Sequence, residues 1–154
     1  MRLTVTALAL GFAFAAGPSL AQDVEAGAKV FNKCQTCHMV VAPDGTVLAG
    51  KAGKTGPNLY GINGRAVATY PDFAYGDGIL AVGATGLVWT EADFIVYTAD
   101  PAKFLKEKSG DTKAKTKMTF KLPKEQEAKD VWAFLTSLAP APAPAADAAA
   151  APSN

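Results

Sequence analysis

The sequence predicts an all-α fold of about five short helices joined by long loops. Three observations favour this class: apolar residues recur at helical spacing from residue 24, two capped helical segments follow each other between residues 90 and 108, and an amphipathic segment occupies residues 123–138. No run shows the alternation of apolar and polar residues that is typical of a sheet strand. Because a few short helices form only a thin core, we expect something else to fill the middle of the fold.

The first half of the chain predicts one clear helix, at residues 24–34. Its apolar residues share one face, and Asp23 can cap its start. Residues 39–54 are rich in Gly and small side chains and predict a loop, and residues 56–61 combine turn chemistry with a possible short helix. Residues 66–87 predict mostly loop, with one brief helix near Ile79.

Two helices follow in tandem. Thr90 and Asp93 have the spacing of a capping box, with Asp in place of the usual Glu. Asp100 then caps a second helix whose first turn contains Pro101.

The last third of the domain begins with a loop and ends in a helix. Residues 111–122 form a polar, lysine-rich segment that predicts a loop, after which Pro123 opens the last helix. The predicted buried face of that helix consists of Ala128, Val131, Trp132, Phe134 and Leu135.

The two ends of the chain differ from the middle. Arg2, an apolar run at residues 3–16 and the small-residue site ending at Ala21 predict a signal peptide, residues 1–21, that is cleaved on export. The run is shorter than the ~20 apolar residues that a membrane span needs. Residues 139–154 are almost entirely Ala and Pro and predict a disordered tail. Residues 22–138 are then one domain, expected to be soluble in a bacterial periplasm without membrane insertion.

Charge excludes one class of partner. The chain has 15 Lys and Arg against 14 Asp and Glu, so loss of Arg2 leaves a net charge near zero, which is not typical of a nucleic-acid-binding protein. The lysines are nevertheless concentrated in the last third of the domain, at Lys103, Lys106, Lys108, Lys113, Lys115, Lys117, Lys121, Lys124 and Lys129.

The segment Cys34-Gln35-Thr36-Cys37-His38 is the attachment signature of a c-type haem. Two thiols at this spacing can form thioethers with the two vinyl groups of one haem, and the following His is placed to bind the iron. A reactive dithiol, a zinc site and a small disulfide loop are the alternatives. They are weaker, since zinc needs about four ligands and the chain has only two Cys and one His, and a disulfide gives no role to His38.

A second axial ligand is expected from the remaining side chains. A second His is absent, and Lys is usually protonated. Met1 leaves with the signal peptide, and Met39 directly follows His38 and cannot reach the opposite face of the haem. Met118 remains, although a lone Met can also be an exposed loop residue or a gap-filler in the core.

Several motifs of the chain occur in the same order as in class I cytochrome c, which the chain resembles. Its loops are as long as those of the larger bacterial members of that family. The resemblance covers residues 22–138 and rests on Asp23 to Phe31, Cys34 to His38, Thr55 to Leu59, Gly61 to Arg65, and Thr116 to Met118. It implies a fold in which the first and last helices cross at Gly27, with Phe31 against Val131 and Phe134.

The resemblance also implies supporting roles around the haem. Pro57 would accept a hydrogen bond from the ring of His38, and Tyr97 would lie near the sulfur of Met118. The haem propionates would be held by Arg65, Tyr75, Trp89 and Thr116. As alternatives without a role at the haem, the aromatic residues could simply pack in the core and Arg65 could simply be solvated.

The function implied is single-electron transport by one covalent haem c rather than catalysis, in a monomer. The resemblance implies a cytochrome bc complex as donor and a terminal oxidase or other periplasmic redox enzymes as acceptors. Transient docking would use a ring of lysines, including Lys33, Lys54 and Lys117, around the haem edge. Two rival functions are considered. One is a haem enzyme with an open distal site, and the other is a haem-free binding module with a disulfide between Cys34 and Cys37.

Overall fold

A computed structural model describes residues 22–139 of the chain. The predicted signal peptide, residues 1–21, and residues 140–154 of the predicted tail lie outside the described residues. Within residues 22–139 the elements are α1 (Val24–Phe31), β1 (Val40–Val41), β2 (Val47–Ala49), α2 (Asp77–Gly83), α3 (Glu91–Ala99), α4 (Pro101–Ser109) and α5 (Glu125–Ser137). The predicted all-α class with five short helices and long loops is confirmed. None of the helices between residues 22 and 139 has the length and apolar character to cross a membrane.

Helices α1 and α5 pack directly against each other, as the resemblance implies. Asp23 caps α1 by accepting hydrogen bonds from the backbone of Glu25 and Ala26. A Cβ atom at Gly27 would overlap the backbone carbonyl of Asp130, so only glycine allows the two helices to come this close. Near this crossing, the rings of Phe31 and Phe134 lie 5.5 Å apart. The two chain ends of the domain are thus fixed to one another.

The tandem helices α3 and α4 begin as the sequence predicts. The hydroxyl of Thr90 accepts from the backbone of Asp93 and donates to its carboxylate, which completes a capping box made with Asp. Asp100 caps α4 by accepting from the backbone of Lys103, with Pro101 in the first turn. The predicted brief helix near Ile79 is also confirmed, as α2.

Four predictions about local structure are wrong. Residues 39–54 contain a small antiparallel ribbon, β1–β2, where only a loop was expected. The segment at residues 56–61 forms turns and no helix, and the last helix begins at Glu125 instead of Pro123. The first helix ends at Phe31, because the chain then tightens into turns that carry the two cysteines.

The buried face of α5 includes one charged residue that the apolar pattern did not predict. Ala128, Val131, Trp132 and Leu135 are buried as expected, whereas Phe134 is only half-buried and Asp130 is buried beside them. The carboxylate of Asp130 accepts hydrogen bonds from the backbone N–H of Asp23 and from the amide of Gln126. A buried carboxylate with two donors is satisfied, so it ties the start of α1 to α5.

Candidate haem site

A cavity of about 230 Å³ lies between the helices and the long loops. Apolar side chains such as Leu59, Ile62, Phe94, Leu105 and Val131 form much of its wall. Every residue predicted to bind the cofactor or its iron borders this one cavity: Cys34, Cys37, His38, Pro57, Arg65, Tyr75, Trp89, Tyr97, Thr116 and Met118. The long loops therefore bring together residues that lie far apart in the sequence.

The first wall of the cavity continues from the end of α1. Successive turn hydrogen bonds, from the N–H of Cys34 to Phe31 and from the N–H groups of Cys37 and His38 to Cys34, wind the chain tightly. This winding places both thiols and the imidazole on the cavity side.

The ring of His38 is oriented by a backbone carbonyl. Its Nδ1 atom lies 2.9 Å from the carbonyl oxygen of Pro57. A carbonyl can only accept, so this contact assigns the ring proton to Nδ1 and leaves Nε2 with a free lone pair. Burial lowers the pKa of His38, and the bond to Pro57 opposes that shift. The imidazole is thus favoured in the neutral form that binds a metal.

Gly56 permits this arrangement, and the sequence analysis did not single it out. A Cβ atom at Gly56 would overlap three atoms of the His38 ring. The Gly56 N–H also donates to the carbonyl of Cys37 over 2.8 Å. The signal in the sequence is the Gly-Pro pair after Thr55, which marks a turn but not what the turn passes.

The surroundings of the cysteines argue against two of the alternative readings. Burial raises the pKa of Cys34 to about 11. A reactive dithiol requires a lowered thiol pKa, so this environment does not suit redox chemistry at sulfur. Among residues 22–139 there is also no cluster of three or more His, Cys, Asp and Glu side chains that could hold zinc.

Another part of the wall is the loop that carries Met118. The hydroxyl of Thr116 accepts from the backbone N–H of Met118, which bends the loop into a tight turn. Met118 borders the cavity, whereas Met39 is absent from its wall and instead lies against Gly50 in the hairpin. Tyr97 adjoins this loop: burial raises its pKa to about 12, and the hydroxyl of Thr116 beside it partly opposes the shift.

Arg65 and its neighbours form the third side. The guanidinium donates to the carbonyls of Tyr60 and Asn58, at 2.9 and 3.0 Å, and lies over the ring of Tyr70. Arginine has five N–H donors, so donors remain for an anionic group. The hydroxyl of Tyr75 accepts from the backbone of Tyr70.

Trp89 is part of both the core and the cavity wall. Its ring stacks on Phe104 and meets the edge of Tyr97 at 5.1 Å between centroids. Trp89 can therefore pack in the core and also contact the cofactor.

The lysines differ in whether they make ion pairs and in whether they border the cavity. Several make ion pairs: Lys33 and Lys124 with Glu127, Lys103 with Glu107, Lys108 with Asp93, Lys121 with Asp100, and Lys129 with Glu125. Lys115 and Lys117 border the cavity and make no ion pair with any described residue, whereas Lys33 borders it while paired.

The side chains present fit a covalent haem. They comprise two thiols at the attachment spacing, a neutral imidazole with its proton turned away on Nδ1, a thioether on another wall and an apolar lining. Arg65 keeps N–H donors available at the border of the cavity. This set would be poorly matched to a hydrophilic substrate.

Comparison with known proteins gives the same answer. No protein-family model matches the chain. Cytochrome c2 of Fuscovulum blasticum is 79% identical over 127 residues, covering 82% of this chain and 80% of the relative. Cytochrome c-550 of Paracoccus pantotrophus is 57% identical over 133 residues, covering 82% and 97% respectively. The solved structure of cytochrome c2 from Rhodobacter sphaeroides matches with a TM-score of 0.74 at 56% identity, covering 76% of this chain and 96% of that one.

The agreement in fold, in attachment signature and in sequence identity settles the family and its general role. The relatives carry the same type of cofactor that the cavity fits, and the chain holds one haem c covalently through its Cys-x-x-Cys-His segment. The chain belongs to the class I c-type cytochromes, with the cytochromes c2 and c-550, and is an electron-transfer protein rather than an enzyme.

Proposed function

We propose that this chain is a periplasmic single-electron carrier in which His38 and Met118 are the two axial ligands of the haem iron. One observation carries the proposal: a ring held at Nδ1 by Pro57 and a methionine from a distant loop border the same cavity. The domain would comprise residues 22–138, exported after removal of residues 1–21.

The bound haem supplies an iron that accepts and releases one electron, with a potential raised by a thioether ligand. The side chains and backbone of the protein orient the ligand and exclude water. The carbonyl of Pro57 keeps the ring proton of His38 on Nδ1, which leaves Nε2 free for the metal. Apolar walls exclude water and disfavour the additional positive charge of the ferric form. With His38 and Met118 bound to the iron, the haem would have no position left for a substrate.

Docking would use the exposed lysines at the cavity. Lys115 and Lys117 lack ion-pair partners among the described residues and lie where electrons would enter and leave. A positive surface of this kind would bind acidic surfaces transiently, on a donor such as a cytochrome bc complex and on acceptors such as a terminal oxidase. We therefore expect electron transfer to a membrane oxidase to slow as ionic strength rises, and a rate that is independent of salt would contradict this docking.

The ligand assignment is tested by Met118→Ala in the holoprotein, with Met39→Leu as the matched control. Loss of the thioether should abolish the weak far-red sulfur-to-iron absorption band, lower the midpoint potential and open the reduced iron to carbon monoxide. Met39→Leu should leave all three unchanged, because Met39 does not border the cavity. An unaltered absorption spectrum and midpoint potential in Met118→Ala would contradict the assignment of Met118 as a ligand.

A further inference from the structure

The side chain of Asn58 is the most heavily used polar group near the cavity. Its Oδ1 accepts from the backbone N–H groups of Val41 and Tyr60, both at 3.0 Å. Its Nδ2 donates to the carbonyl of Val41 at 2.7 Å and to the hydroxyl of Tyr70 at 3.3 Å. An amide side chain has two donors and a carbonyl with two lone pairs, so all of its capacity is in use.

Two of these bonds imitate a sheet. By bonding both the N–H and the carbonyl of Val41, the amide pairs with β1 as a neighbouring peptide group would. The ribbon β1–β2 begins two residues after His38. Asn58 therefore fixes its own segment to the chain that leaves the haem attachment site.

The position of Asn58 in the sequence makes this attachment consequential. It follows Pro57, whose carbonyl receives the Nδ1 proton of His38. Proline has no N–H, so Pro57 cannot anchor itself by a backbone donor. The flanking bonds run from Gly56 to Cys37 and from Leu59 to Met39. Between them, the chain is held by the side chain of Asn58 and by the guanidinium of Arg65, which donates to the backbone carbonyl of Asn58.

Asn58 also reaches the Arg65 side of the cavity. Its backbone carbonyl accepts from the guanidinium of Arg65 at 3.0 Å, and its side chain holds the hydroxyl of Tyr70, over whose ring that guanidinium lies. One residue thus joins the support of the imidazole to the support of the arginine.

We propose that Asn58 is a positioning residue that sets the hydrogen bond between Pro57 and His38. The inference rests on the proposed function to the extent that His38 is the axial ligand. A shorter bond from Nδ1 to a carbonyl makes the imidazole more electron-rich and favours the ferric iron, and a longer one does the reverse. Releasing the Pro57 segment should therefore weaken this bond and raise the midpoint potential.

The experiment compares Asn58→Ala with Asn63→Ala in the reduced holoprotein. Asn63 is the same residue type five positions later, makes none of the hydrogen bonds described for Asn58, and does not border the cavity. NMR measures the exchange of the His38 Nδ1 proton with solvent, and a redox titration measures the midpoint potential. Loss of the two bonds to Val41 should speed this exchange about tenfold and raise the potential. Asn63→Ala should change neither quantity.

A second pair of variants separates positioning from general stability. Leu135→Val removes buried volume from α5 away from the cavity, so it lowers global stability without touching Asn58. Asn58→Asp keeps an acceptor for Val41 and Tyr60, loses both donors, and should give a smaller increase in exchange if the alanine variant does not fold. Unchanged exchange in Asn58→Asp and Asn58→Ala, or an equal increase in Leu135→Val, overturns the proposal.

The outcome is independent of the Met118 assignment. If Met118 is not a ligand, the far-red band is absent from the unmodified protein, while exchange at Nδ1 of His38 still reports on Asn58. If Asn58 has no positioning role, the band persists and the exchange does not respond.

Discussion

The two walls of the cavity are built by different means. The His38 wall, residues 31–59, is held by backbone hydrogen bonds, by the fully used amide of Asn58 and by glycines that allow close contact. The Met118 wall, residues 111–122, is held by its own turn at Thr116, by the ammonium groups of Lys117 and Lys121, and by one backbone bond from Leu122 to Thr98. Local opening is easiest where exposed groups carry the contacts, so we expect the Met118 wall to open first.

The largest effect should come from filling the close contact on the His38 wall. Gly56→Ala would place a Cβ atom against the imidazole, so the ring or the backbone would have to shift. We expect the free energy of unfolding to fall by about 3 kcal/mol or more, measured by denaturant titration of the holoprotein. Gly45→Ala is the control, because a Cβ there meets nothing and only its φ of +87° adds strain, which costs about 1 kcal/mol. Equal losses in the two variants would refute close packing at Gly56.

Gly56 also shows where sequence reasoning succeeds and where it stops. The spacing of Cys34, Cys37 and His38 encodes chemistry locally, so it identified the haem and one ligand before any fold was known. The contact of Gly56 with a ring 18 positions earlier in the chain is tertiary, and no local pattern reports it. Met118 was reached by elimination among three methionines, and its place on the cavity wall required the structure.

The wrong predictions of local structure have related causes. Strands of two and three residues are too short to show alternation, although the Pro-Asp-Gly turn between them was a usable hairpin signal. Asp130 breaks the apolar face of α5 because its partner is the backbone of Asp23, 107 positions away. Caps, in contrast, depend on residues three apart, and those at Asp23, Thr90 and Asp100 were all predicted correctly.

A smaller effect is expected from releasing the Met118 wall. The ammonium of Lys117 donates to the carbonyl of Ala74, in a different loop, at 2.9 Å, while the aliphatic part of its side chain lies near Gly76. Lys117→Met keeps the stem and removes the donor. A hydrogen bond from a charged group that is largely exposed contributes about 1 kcal/mol. We expect added imidazole to bind the ferric iron about fivefold more tightly, as measured by titration of the absorption spectrum.

Lys113→Met is the matched control for this release, since it removes the same charge from the same loop, while the ammonium of Lys113 makes no hydrogen bond to a described residue. If both variants bind imidazole equally well, loss of positive charge explains the effect and the contact to Ala74 does not. Backbone amide exchange near Met118 should increase in Lys117→Met only, with α1 and α5 unaffected.

The smallest effect concerns charge beside the His38 wall. Glu127 pairs with Lys33 at 2.7 Å and with Lys124 at 3.0 Å, and these cations hold the pKa of its carboxyl below the usual range. Glu127→Gln would leave Lys33 without a neutralising partner at the cavity. Because exposed ion pairs contribute little to stability, unfolding should be almost unchanged. Electron transfer to an acidic oxidase should instead become about twofold faster at low ionic strength, with the gain vanishing in high salt. Glu107→Gln, which frees Lys103 on α4, is the matched control, and an equal gain there would mean that net charge rather than Lys33 governs docking.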